Sequence, residues 1–427
     1  MSKYLMLLCL LMISASLSAR RDSSRLNQLL ADYRIKISVG LQLWSTYSRG
    51  MEMYDMEQGA YTSLEDRLNV QLRRSRFSVS GQPYPTLRFK VTSSLDLVGH
   101  DVLAATEAGG NNGSSPEFRI WNAFVNWQLA PAKDVLYATA GYYVSPIGRE
   151  SNTSAMRSIS FEKAWSQNYL RRHLIGTGPG RAMGLMLSGQ LHNSNGKRHL
   201  TYELSLQNPI FDTLSGNSSG SNYSPLLSAR LSLHAGDPEN KSYSLGHKVN
   251  YFGKRNGLTI SLSAARQGKS AGFSANGAYG LEYLYNSQVV HLDGEFFFLS
   301  RSDDRLPGHA RFEGRTGYFR IGKNIPLPRA LTMEPVVSYW FFDGPLEAAD
   351  ILEATSLGSF TGSDTGLDIG ANLYFSPNHK LSLFYAFRMG DAGEGKHELI
   401  ENNYFQQSGV GAVRRGNYFG GGWVVIF

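Results

Sequence analysis

From residue 34 onward one pattern recurs: apolar and polar residues alternate for about ten positions, and a turn follows. In RIKISVGLQLW (34–44), Ile35, Ile37, Val39, Leu41 and Leu43 share one face, with Lys36, Ser38, Gly40 and Gln42 on the other. A period of two is that of a β-strand with one apolar face. Over 67–81 (RLNVQLRRSRFSVSG) the alternation slips at Arg73-Arg74 and resumes, which predicts a bulge or bend there. Over 86–97, Leu87, Phe89 and Val91 oppose Arg88 and Lys90. Further strands are predicted at 118–129, 135–144, 181–191, 199–207, 226–234, 243–252, 258–266, 278–286, 287–299, 312–323, 331–342, 365–375, 380–389 and 416–427.

Turn signals stand between them at Gln82-Pro83, Pro131-Ala132, Asn195-Gly196, Asn256-Gly257, Pro326 to Pro328 and Pro377-Asn378. Gly-, Ser- and Asp-rich loops at 105–116, 212–224, 301–310, 344–362 and 391–413 alternate with these turns. Short turns on one side and long loops on the other are expected of an antiparallel transmembrane β-barrel. Seventeen candidates is an odd number, and a barrel with both ends on one side needs an even one, so sixteen strands are expected, with eighteen possible. Sixteen leaves about 25 residues per strand and connection, enough for spans of about 9–11 residues.

The last stretch, GNYFGGGWVVIF, ends on Phe427. Phe419, Gly421, Trp423, Val425 and Phe427 form one face, and Tyr418, Gly420, Gly422, Val424 and Ile426 the other. This strand is expected to turn Phe419, Trp423, Val425 and Phe427 to lipid and to pair with 34–44, which removes both sheet edges. A soluble β-sandwich could end the same way.

The first residues favour the barrel. Lys3, the apolar run LMLLCLLMI (5–13) and the small-residue stretch SASLSA (14–19) read as a cleaved secretory signal peptide over 1–19. Residues 20–33 are then a short polar, mostly basic periplasmic lead, and 34–427 the barrel. The single cysteine, Cys9, lies in the signal peptide, so disulfides and thiolate metal sites are not expected. A mean hydropathy of −0.27 does not separate a soluble chain from a barrel with a wet lumen. The net charge of +7 in an exported chain points to anionic solutes or lipid and away from nucleic acid.

Several segments, in order, resemble the phosphate-selective porin O and P family of outer-membrane β-barrels. They are LRRSRFSVSG with LRFKVTSSLD, WNAFVNW (121–127), AGYYVSPIGRESNTSAMRSISFEK (140–163), Gly180-Arg181 with Met183-Gly184, LEYLYNSQVVHLDGEFF (281–297) and 367–375. The chain departs from that pattern at Asn208-Pro209, where the family commonly has Asn-Gly, and at Lys163, where Arg is commoner. The resemblance implies an outer-membrane porin, a homotrimer, and a third long loop folded into the lumen. It also implies a terminal aromatic read by the barrel-assembly machinery, after delivery by periplasmic chaperones.

Candidate chemistry is basic. Arg149, Arg157, Lys163, Arg171, Arg172 and Arg181 stand against Glu150 and Glu162 in the longest stretch of the first half without clear alternation. Guanidinium groups fixed at a constriction attract anions; an outer loop binding lipid phosphates would look the same. With apolar faces on lipid, Lys36, Arg88, Lys90, Arg230, Arg320, Lys380 and Arg388 point inward, as do Asp293, Glu295 and Asp368, while the facing of Arg73, Arg74 and Arg76 near the slip is open. Trp44, Trp121, Trp127, Tyr142, Tyr143, Tyr339, Trp340 and Trp423 are expected in the interfacial girdles. Neither a Gly-x-Ser-x-Gly nor a His-Glu-x-x-His motif is present, and no metal or cofactor constellation stands out. The expected function is passive diffusion of small anionic solutes. A non-conducting barrel with a structural, assembly or attachment role is the alternative, and an outer-membrane hydrolase a third.

Overall fold

The computed structural model describes residues 23–104, 106, 117–131, 133–192, 198–209, 224–306, 308–395, 405–407 and 410–427. The expected signal peptide with Cys9, the Asn195-Gly196 turn, and most of the loops at 105–116 and 212–224 lie outside these residues.

Sixteen antiparallel strands close into one barrel. They are β1 (Lys36–Arg49), β2 (Arg67–Tyr84), β3 (Leu87–Ser94), β4 (Arg119–Gln128), β5 (Tyr137–Val144), β6 (Arg181–His192), β7 (Arg198–Asn208) and β8 (Leu226–Gly236). They continue as β9 (Gly257–Gln267), β10 (Ala275–Asn286), β11 (Val290–Asp303), β12 (Ala310–Lys323), β13 (Leu331–Asp343), β14 (Ser363–Ser376), β15 (His379–Asp391) and β16 (Asn417–Ile426). Each pairs with its neighbours in sequence, and β16 pairs with β1 from Gly40↔Ile426 to Arg49↔Asn417. Closure satisfies the backbone polar groups without water, the requirement for strands in lipid. Among the described residues four α-helices are not part of the wall: α1 (Ser23–Asp32), α2 (Arg149–Asn152), α3 (Ser166–Ile175) and α4 (Ala348–Ser356).

The alternation sets the two faces. Outward residues are large, apolar and open: Leu185 is 61% exposed, Leu227 60%, Leu262 61% and Leu383 56%. A contiguous belt of such side chains has no aqueous explanation and fits lipid. Most inward residues are small, polar or charged, as in the buried Ser228, Arg230, Ser232 and His234 of β8, and large inward rings occur where something inside the barrel meets them. Phe419, Trp423 and Phe427 face outward on β16. The expected slip is a bulge: Gln42 pairs with Arg74 and Leu43 with Leu72, leaving Arg73 over and turning both arginines inward. A second break lies between Thr92 and Ser93, where Trp121 of β4 is the extra residue.

Two expectations are corrected. Residues 243–252 form no strand; they belong to a segment at 237–256 joining β8 to β9, which removes the seventeenth candidate. Trp127, Tyr339 and Trp423 face outward, as girdle residues must. Trp44, Tyr143 and Trp340, by contrast, are buried on the lumen side, and Trp121 is ringed by inward arginines.

We call the rim where β1 begins and β16 finishes the near rim. Its connections are short except 237–256. The far rim carries long loops, including one of 145–180 between β5 and β6 that holds α2 and α3 and folds into the barrel.

Candidate functional site

The lumen is filled from both ends. From the far rim, 145–180 enters as α2, a short 3-10 turn (Ala155–Arg157) and α3. Helix α3 ends at Gly176, whose φ of 83° closes the last turn with a hydrogen bond to the Arg172 carbonyl. Its apolar residues Tyr169, Leu170, Leu174 and Ile175 pack on Phe297, Phe312 and Phe342 of the inner wall. The Tyr169 and Phe342 rings stack with centroids 4.1 Å apart. Deeper down, Phe161 stacks on Trp44 at 4.3 Å. Its ring lies where Cβ atoms on Gly420 and Gly422 would stand, 2.5 and 2.9 Å from ring carbons. The glycines of the last strand thus make the floor on which the loop rests.

Charge pins the same loop. Arg320 of β12 is fully buried and bonds both carboxylate oxygens of Glu150 (3.0 and 2.9 Å), Asp293 (3.0 and 2.7 Å), and the hydroxyls of Ser158 and Ser160. Glu162 accepts from Arg73 at 2.9 Å and also from Arg74. Burial alone would raise the Glu162 carboxyl, but these two guanidinium groups hold it down at about 2.

From the near rim, 237–256 rises to meet the loop. Glu239 accepts a bidentate pair from Arg149 (2.9 and 2.8 Å), with both side chains buried. Thr153 and His247 form a parallel β-bridge. Asn250 donates to Asn324 and to Glu334, and Asn286 donates to the Val249 carbonyl. Val249 joins Ile159 and Phe161 of the loop in one apolar cluster.

These inserts lie against β8–β16, whose inward side chains are largely buried. Solvent reaches the inner face of β2–β4, where Arg76, Ser78, Ser80, Arg88, Trp121, Asn122 and Phe124 are half-buried and Lys90 is exposed. The inner face of this wall thus keeps part of its polar surface open to solvent.

The basic residues read from the sequence divide accordingly. Arg149, Arg230, Arg320 and Arg388 are buried and paired with Glu239, with Glu203 and Glu282, with Glu150 and Asp293, and with Asp364, respectively. Arg73 and Arg74 are spent on Glu162, and Arg76 on Asp96 (2.8 Å). A continuous basic ladder along the lumen is not what the wall presents, because burial in low dielectric demands a partner for each charge.

The rest have no carboxylate in ion-pair range among the described residues. Arg157 donates to Asn378 (3.0 Å), Lys163 to the Thr153 carbonyl (2.8 Å), and Arg171 to the Ser151 hydroxyl (3.2 Å) and carbonyl (2.5 Å). Arg181 donates to Asn122 (3.1 Å) and to the Pro179 carbonyl. Arg172 is exposed on α3 and Arg88 half-buried on β3. Lys90 is repelled by Arg157 and Arg181, and Lys163 by Arg171 and Arg181. Burial first, and these like charges second, push the Lys163 ammonium well below the ordinary lysine range.

Trp121 plays a part that its sequence does not announce. Arg76 and Arg181 lie over its ring at 4.2 and 3.8 Å, so the bulge brings the ring's π-system against two cations. The near-rim insert is also invisible to periodicity; the odd strand count was its one trace.

No protein-family model matches this chain, and no curated protein matches its sequence. Solved structures do. The anion-selective porin from Comamonas acidovorans is 12% identical over 92% of this chain and 99% of that one, with a TM-score of 0.56. The outer membrane channel DcaP of Acinetobacter baumannii is 12% identical over 92% and 97%, at 0.54. OprB of Pseudomonas putida is 8% identical over 94% and 96%, at 0.55. At these identities the likeness is one of fold: the chain has the sixteen-stranded barrel of outer-membrane porins.

Proposed function

We propose that this chain is an outer-membrane porin through which small anionic solutes diffuse passively along the β2–β4 wall. The near rim faces the periplasm and the far rim the exterior. The observation that carries this is a basic group beside that wall: Lys90 feels the like charges of Arg157 and Arg181, and none of the three has a carboxylate in ion-pair range among the described residues. Fixed cations of this kind raise the local concentration of anions and repel cations, and several weak sites in series let the solute leave. Arg88, Arg172, Lys163 and Arg171 add to the same field. Membership of the phosphate-selective porin O and P family, and phosphate as a solute, belong to this reading and rest on the sequence resemblance.

The same reading covers assembly. Phe419, Trp423, Val425 and Phe427 present the outward aromatic strand that the assembly machinery would take from periplasmic chaperones, and outer-membrane lipids would cover the belt. A homotrimer is the expected form. A second reading, a non-conducting barrel, draws support from the two inserts that fill the lumen beside β8–β16.

Purified protein in planar bilayers separates the two. Stepwise conductance with an anion-selective zero-current potential in a salt gradient is expected. A protein that inserts without conductance steps would favour the plugged barrel.

A further inference from the structure

Four histidines gather toward the near rim on the lumen side. His192 of β6 stands directly opposite His199 of β7, and His199 directly opposite His234 of β8, in one row across three strands. His247 lies on the near-rim insert, bonded to Glu239 at 3.2 Å. His234 is occupied: its two ring nitrogens are bonded to the hydroxyls of Thr201 (3.0 Å) and Thr259 (2.8 Å).

His192 and His199 are different. Their Nδ1 atoms lie 2.7 Å apart with the rings edge to face, and among the described residues no other partner takes either nitrogen. Two neutral imidazoles cannot meet with both lone pairs converging, so a single proton must bridge them. His192 is exposed at the rim, so solutes reach the pair. Directly opposed residues on antiparallel strands keep their Cβ atoms about 4.5–5.5 Å apart, which holds both rings near one point.

We infer that the His192–His199 pair is a binding site for a divalent transition-metal ion, with the two Nδ1 atoms as ligands and water completing the shell. Imidazole–metal bonds of about 2.0–2.1 Å at a tetrahedral angle put the two nitrogens about 3.3 Å apart, so the rings open by about 0.6 Å from their present contact. That movement is a small χ rotation at an open rim. Paired neutral imidazoles select zinc, nickel or copper over calcium and magnesium, which want oxygen ligands. Among the described residues no group of three His, Cys, Asp or Glu side chains converges on one point, so the site has two protein ligands. The backbone ladder pre-organises them, and the site stands whether or not the barrel conducts.

Untagged full-length protein in detergent, titrated calorimetrically with Ni²⁺ and separately with Zn²⁺, tests this. One saturable site per chain is expected. His192→Ala and His199→Ala should each weaken it at least about tenfold, and His234→Ala should leave it unchanged. His192→Gln and His199→Gln serve as second variants, with barrel folding checked by heat-modifiable gel mobility. Absence of a saturable site, or binding that survives in both folded single variants, overturns the inference.

Discussion

Arg320→Met asks whether this fully buried arginine of the lumen anchors the inward loop or belongs to the conducting surface. Methionine keeps much of the side-chain volume and removes all six bonds to Glu150, Asp293, Ser158 and Ser160. Glu150 and Asp293 then remain buried without their cation. Removing one member of a buried ion pair costs about 3–5 kcal/mol, because the orphaned charge keeps its desolvation penalty. At about 1.4 kcal/mol per decade, the undocked loop population rises by roughly two to three and a half decades. The apolar anchors at Phe161 and Tyr169 persist, so the barrel still folds. Single-channel recording should show noisier open states, and liposome swelling a higher size limit, while the zero-current potential stays near the wild-type value. The triple variant Arg320→Met/Glu150→Gln/Asp293→Asn should quiet the channel again, since no buried charge is left over. A quiet Arg320→Met channel with the wild-type size limit would refute the anchoring role. A loss of selectivity as large as that from Lys90→Glu would place Arg320 in the path after all.

Three other outcomes follow from the same contacts. Phe161→Ala removes the ring seated over Gly420 and Gly422 at a cost of about 3–5 kcal/mol, and scanning calorimetry should show a lower unfolding midpoint; an unchanged midpoint would mean that the ring carries no packing energy. Glu239→Gln strips the partner from buried Arg149 and should loosen 237–256, so trypsin should cut at Lys241, Lys248 or Lys254 several-fold faster; wild-type digestion would contradict the clamp. Lys163 is charged at low pH and loses its proton as pH rises through a value depressed by burial. Anion selectivity should therefore weaken with rising pH before ordinary lysines titrate, and Lys163→Met should flatten that part of the profile; an identical profile in the variant would remove Lys163 from the field.

The fold was legible because a barrel strand carries its own signature. Ile37, Val39, Leu41 and Leu43 on one face with Ser38, Gly40 and Gln42 on the other require two environments, and the slip at Arg73-Arg74 marked a real bulge. What periodicity cannot show is which inward side chains are met by something inside the barrel. Trp44 and Trp340 look like girdle residues because an aromatic near a strand end is the same letter whichever way it points. The same limit applied to the basic residues. Arg230 and Lys90 are both inward cations on alternating strands, yet Arg230 is closed between Glu203 and Glu282 while Lys90 is open. Their difference lies in contacts between residues 27 to 52 positions apart, beyond any local pattern. Residues 243–252 mimicked a strand through Tyr243, Leu245, Val249 and Tyr251. Val249, fully buried, and Tyr251 pack against the loop inside the barrel, while Tyr243 meets Tyr137 and Glu203 of the wall.

The most direct test of the account compares zero-current potentials, in a tenfold KCl gradient, of the wild-type channel and the Lys90→Glu/Arg157→Glu variant. The account predicts an anion-selective wild type and a shift toward cation selectivity in the variant, with the unitary conductance still that of an open barrel. A cation-selective wild type, or a potential that the double substitution leaves unmoved, would contradict it.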